Sequence, residues 1–117
     1  MRMAAAIPIL AVPDVTASAG YFREVLGFTV EFVWGNPPEY AGIERDEAEI
    51  HLRADGGVVS EHRVAILMDG VDAYHDEVRQ RGAEVTVPIG DRDYGIRDFA
   101  VRTPDGHFIS FGQGLDG

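Results

Sequence analysis

The spacing of apolar residues changes period along the chain, and the change repeats. The run IPILAVPDV reads as a strand, and after it Val15, Ala19, Phe22, Val25 and Leu26 return at helical spacing. This predicts a helix over 15–26, capped by Asp14 or Thr16, with Gly27 in the left-handed position that ends it. Further on, RVAILMDGV precedes a second helical pattern over 71–81, with Val71, Tyr74 and Val78 inward. Asp72, Asp76 and Glu77 lie near its start or outer face, Arg79 and Arg81 in its last turn where the dipole favours cations, and Gly82 closes it. Strand patterns fall at 5–12, 28–34, 39–45, 48–54, 62–68, 84–87, 97–102 and 107–112. GNPP at 35–38 and DGG at 55–57 read as turns, and PIGDRDYG at 88–95 as a loop.

The order βαβββ therefore occurs twice. VLGFTV in the first half matches QRGAEV in the second, and EIHL at 49–52 matches FISF at 108–111. The expected fold class is α+β: one domain, 1–117, of two βαβββ modules at about 1–58 and 59–117. Paired, the two sheets would form a curved, half-open barrel with the helices outside and the concave side open to a ligand.

Composition narrows the function. The chain has 117 residues and no cysteine, which excludes disulfides, thiolate metal sites and a cysteine nucleophile. The start is too short and too strand-like for a secretion signal, and no run suits a membrane span, so the expected location is cytoplasmic. The net charge is −10, split as −5 over 1–60 and −5 over 61–117. That field disfavours nucleic acid and anionic lipid and suits cationic partners. No nucleophile elbow, catalytic Ser-His-Asp context or phosphate-cradling glycine loop occurs.

Four segments carry a family resemblance: LAVPDVTASAGYFREVLGF at 10–28, EIHL, RGAEV at 81–85 and YGIRDFAVRTPDGHFISFGQ at 94–113. Together they resemble the vicinal oxygen chelate superfamily of glyoxalases, extradiol dioxygenases and bleomycin-resistance proteins, and the last segment is closest to bleomycin-resistance-like members. The fold hosts several chemistries, so membership alone does not give an activity. Metal-using relatives place His, Gln or Glu at four inward positions, which the resemblance carries to Ile7, His51, Arg63 and Ser110. Of these only His51 is a plausible ligand. Ile7 has no donor, Arg63 repels a cation, and Ser110 is weak for a divalent ion. A one-residue shift would bring His62 in place of Arg63 and still leave too few ligands.

The resemblance thus implies a metal-free small-molecule binding protein, with no cofactor and no catalytic residue, that sequesters a drug or metabolite, and the net charge of −10 suits a cationic one. The expectation leans away from an enzyme. The alternative is a metal-dependent lyase, isomerase or dioxygenase with atypical ligands, perhaps His51 with Glu49 or His62. The expected ligand-binding residues are Trp34, Tyr40, His51, Arg63, Tyr94, Arg97, Phe99 and Ser110. Trp34 and Tyr40 flank the GNPPE turn, and Tyr94 and Arg97 stand at the mouth of the expected cup. Phe99 shares a strand face with Val101, and the sequence leaves open whether that face is the cup. Ser110 is either a hydroxyl presented to a ligand or a half-buried group bonded to backbone. His75 and His107 read as surface residues. Relatives usually pair as homodimers, some by exchanging modules, so a homodimer is the expected assembly.

Overall fold

The computed structural model describes residues 1–55 and 60–116. Gly56 and Gly57 of the DGG turn lie outside them. The order is β1 (Ile9–Val12), α1 (Val15–Glu24), β2 (Thr29–Trp34), β3 (Tyr40–Arg45), β4 (Ala48–Ala54), β5 (Arg63–Leu67), α2 (Val71–Gln80), β6 (Glu84–Asp91), β7 (Ile96–Arg102) and β8 (Phe108–Gly114). The repeated βαβββ unit is therefore the architecture. Each module forms a four-stranded mixed sheet, ordered β1-β4-β3-β2 and β5-β8-β7-β6. β1 runs parallel to β4, and β5 parallel to β8; the other pairs are antiparallel. The sheets remain two and do not close into one barrel.

Local chemistry sets the helix ends. The Asp14 carboxylate accepts from the Thr16 and Ala17 amides at 2.9 and 3.1 Å, capping α1. Gly27 and Gly82 follow the two helices with φ of 75° and 93°, where a side chain would be strained. One strand outruns its sequence pattern. β6 continues through Pro88 to Asp91, so half of the expected 88–95 loop is strand. Pro88 is tolerated because β6 is an edge strand, and register shifts on either side of Val87 absorb the irregularity. The Arg92 guanidinium pins this end, bonding Asp98 and the Pro88 carbonyl.

Each helix covers one face of its own sheet. Val15, Ala19 and Phe22 of α1 pack with Ala41, Ile43, Ile50 and Leu52, while Tyr74 and Val78 of α2 pack with Phe99, Val101, Ile109 and Phe111. The two sets form one continuous core. Polar contacts also join the modules. The Tyr74 hydroxyl donates to the Leu26 carbonyl at 2.7 Å, and Arg45 pairs with Glu77 at 2.9 Å while lying over the Tyr74 ring.

His107 belongs to this junction, not to the surface. It is 1% exposed, its Nε2 lies 2.7 Å from the Ala11 carbonyl, and its Nδ1 accepts from the His62 amide at 3.1 Å. These partners fix the tautomer: Nε2 carries the proton. His75 is likewise half-buried, edge-on to Phe99. Both are missed by a sequence reading because their partners lie in distant segments. Among the described residues no helix is long and apolar enough to cross a membrane.

Candidate functional site

The sheet faces turned away from the helices remain open, and the first module's open face carries the richer chemistry. Strand register aligns Ile9, His51, Gly42 and Phe32 in one row across the sheet. The next row holds Ala11, Arg53, Tyr40 and Trp34. Gly42 permits the arrangement: a Cβ built there would run into the Phe32 ring. With that space open, Phe32 lies flat over the sheet, stacks beside Tyr40 and meets the His51 ring edge-on. Phe32, Trp34, Glu39, Tyr40, Arg53 and Ala54 border a shallow groove of about 500 Å³. Trp34 is 64% exposed on it, a large apolar surface for a lone residue to leave in water.

Below the aromatic shelf runs a hydrogen-bonded chain. The His51 Nε2 lies 2.6 Å from a Glu49 carboxylate oxygen, and its Nδ1 lies 2.7 Å from the Tyr40 hydroxyl. An ionised carboxylate can only accept, so Nε2 carries the proton and Nδ1 accepts from Tyr40. Both ring nitrogens are therefore engaged. Glu31, Glu44 and Glu49 bring carboxylate oxygens within 4.8 Å of one another on the same face, which makes it strongly negative.

The second module's open face is plainer. The row matching that of His51 is Ala65, Ser110, Ala100 and Val87. Ser110 is half-buried between small apolar neighbours. Arg63 lies exposed over the Phe108 ring and pairs with Glu61 at 3.2 Å. Tyr94 and Arg97 belong to a separate ion-pair cluster at the β6–β7 end. Arg97 holds Asp72 and Asp91, and Tyr94 donates to Asp98, which also takes Arg92. The hydrogen bond from Arg97 holds the Asp72 carboxyl below its ordinary range. Burial pushes the Asp98 carboxyl up, but the Tyr94 and Arg92 hydrogen bonds outweigh it and leave it low.

The expected site residues thus fall into groups. Trp34, Tyr40 and His51 come together on one face. Arg63 and Ser110 lie on the other sheet, and Tyr94 and Arg97 at a hairpin end. Phe99 is corrected: it is 0% exposed, stacked on Phe111 in the core, and so faces the helix and not a ligand. Phe32, Glu49 and Arg53 join the site although the sequence reading did not place them as ligand contacts. Their signal was present: alternation puts Phe32 beside Trp34, and Glu49 and Arg53 beside His51.

The four positions that the resemblance assigns to a metal do not make a donor set. Ile7 has no ligand atom, Arg63 carries charge, Ser110 stands among alanines, and both His51 nitrogens already have partners.

The chain and its fold are similar to those of known proteins. Residues 4–111 match the family described as the Glyoxalase/Bleomycin resistance protein/Dioxygenase superfamily. The chain is 26% identical to the bleomycin resistance protein of Geobacillus stearothermophilus, an alignment covering 95% of this chain and 97% of that one. Its fold is similar to that of the bleomycin-binding protein from bleomycin-producing Streptomyces verticillus, solved with copper(II)-bleomycin: TM-score 0.80, 25% identity, 97% and 98% coverage. It also resembles TioX from Micromonospora sp. ML1, with a TM-score of 0.86 at 20% identity, covering 97% of this chain and all of that one.

Proposed function

The chain belongs to the glyoxalase/bleomycin resistance protein/dioxygenase superfamily, and from that premise we propose that it is a metal-free binding protein that sequesters a cationic drug or metabolite. The observation that carries this reading is the open aromatic shelf of Phe32, Trp34 and Tyr40 set against a field of carboxylates. Flat rings supply contact area at little entropic cost, and Glu31, Glu39, Glu44 and Glu49 supply the opposite charge to a cation. The likeness to bleomycin resistance and bleomycin-binding proteins supports a ligand of that kind. His51 and Glu49 hold the Tyr40 hydroxyl in place, so Tyr40 presents a fixed lone pair to a ligand N–H.

Sequestration requires a cleft deeper than one open sheet. We place the second wall on another copy of the chain, so that the homodimer covers the exposed Trp34 face and encloses two grooves. Trp34 is the chain's only tryptophan, so its fluorescence reports the groove directly.

Titration with metal-free bleomycin tests the reading. The expected result is saturable heat with a shift in Trp34 emission, weakening as salt rises through about 0.1 M, where the screening length is roughly 10 Å. Trp34→Ala should reduce affinity at least about tenfold with the fold intact. No heat and no emission change would remove bleomycin as the ligand. A stoichiometric divalent ion in protein purified without chelator would overturn the metal-free reading.

A further inference from the structure

A second cavity lies at the other end of the β3–β4 pair, where the modules meet. It measures about 490 Å³, a size suited to a small organic ligand. Both modules build it: Phe28 and the β3–β4 hairpin from the first, the β5–α2 connection, α2 and Phe111 from the second. None of the open-face groove residues borders it.

Its lining divides by depth. Phe28, Tyr74 and Phe111 are at most 6% exposed and, with half-buried Met68, form an apolar base. Arg45 and Glu77 form a wall and neutralise each other at 2.9 Å. At the exposed rim stand Asp46, Glu47 and Asp69, and none of the three has an ion-pair partner among the described residues. Asp46 and Glu47 are the two tip residues of the hairpin, and Asp46 takes a left-handed φ of 52° that turns the chain there. Asp69 comes from the opposite module.

We propose that this seam cavity binds an organic monocation with a flat apolar body. The rings and Met68 receive the body, and the ammonium sits among the rim carboxylates. An anionic ligand would meet three like charges at the rim, and a neutral one would leave them unused. Because the lining spans both modules, occupancy ties them together and raises the melting temperature with ligand concentration. This site is independent of the open-face groove.

Dansylcadaverine, a naphthalene sulfonamide carrying a primary ammonium, is the probe, read by its own fluorescence in the full chain. Saturable binding with a blue shift is expected. Its N-acetylated, uncharged analogue should bind about tenfold more weakly, as should the probe against the double variant Glu47→Gln, Asp69→Asn. Ala73→Leu places a larger side chain at an exposed α2 position on the cavity and should block binding while helicity is unchanged. Trp34→Ala should leave this binding unaltered. The proposal is overturned by an absence of saturable binding, by equal affinity for the neutral analogue, or by binding that ignores the seam variants. Loss on Trp34→Ala instead would place the probe in the open-face groove and also overturn it.

Discussion

The two modules share a fold and differ in what they expose. His51 and Ser110 occupy matching places, each in the central row of an open sheet face. Around His51 stand Ile9, a glycine that admits the Phe32 ring, and bonds to Tyr40 and Glu49. Around Ser110 stand Ala65, Ala100 and Val87, so its row carries neither a ring nor a charge. The two modules thus share a backbone topology, while the side chains on their open faces differ. One open face carries rings and carboxylates; the other carries small residues. The difference at Gly42 and Ala100 illustrates the point. Gly42 leaves room for Phe32, whereas Ala100 faces Val87, so the second face lacks both the opening and the ring.

This contrast can be broken at its hinge first. His107 joins the two modules, with a buried bond to the Ala11 carbonyl and a part-buried one from the His62 amide. His107→Ala leaves both unpaired and opens a void, and should cost about 2–4 kcal/mol in urea unfolding. A cost below about 1 kcal/mol would mean that the modules are held by the apolar core alone. Next comes the shelf. Gly42→Ala forces the Phe32 ring off the sheet and should weaken groove binding at least about tenfold, with only a modest change in stability. The matched change Ala100→Gly on the second module should leave binding within about twofold and cost roughly 1 kcal/mol in the strand.

His51 and Ser110 give a finer comparison. His51→Ala frees Tyr40 and Glu49 and should lower affinity for a cationic ligand about fivefold, roughly 1 kcal/mol. Ser110→Ala should change it less than about twofold; an equal loss at both positions would show that the two faces contribute alike. The smallest effect concerns pH. Asp98 is held below the ordinary carboxyl value in the fold, so its stabilising contribution is present above about pH 4 and disappears as pH falls through the lower folded value. Asp98→Asn should flatten the acid limb of a stability–pH curve. Tyr21 works at the other end: burial first, then Glu84, pushes its hydroxyl up to about 12. Its contribution is lost between about pH 10 and 12, and Tyr21→Phe should remove that step with little effect at neutral pH.

Local order was legible because it rests on local causes. Helical spacing, the Asp14 cap and the glycines after each helix are all written within a few residues of the structure that they set. The doubled βαβββ order follows from them. The site was partly legible, since Trp34 and Tyr40 flank the GNPPE turn and the resemblance carries His51 to an inward position. Phe99 was not, because alternation separates two faces without saying which one a helix covers. His107 was not, because its partners lie in β1 and just before β5.

The amino-acid sequence by itself determined the modules, their helices and strands, the negative charge and the lack of a metal-binding donor set at the four expected positions. Tertiary structure decided which strand faces are covered, that the two sheets stay separate, and that an acidic, ring-floored cavity opens between the modules. The physical reason is range. Capping, periodicity and turns act over a few residues, whereas burial and charge proximity depend on segments that only folding brings together.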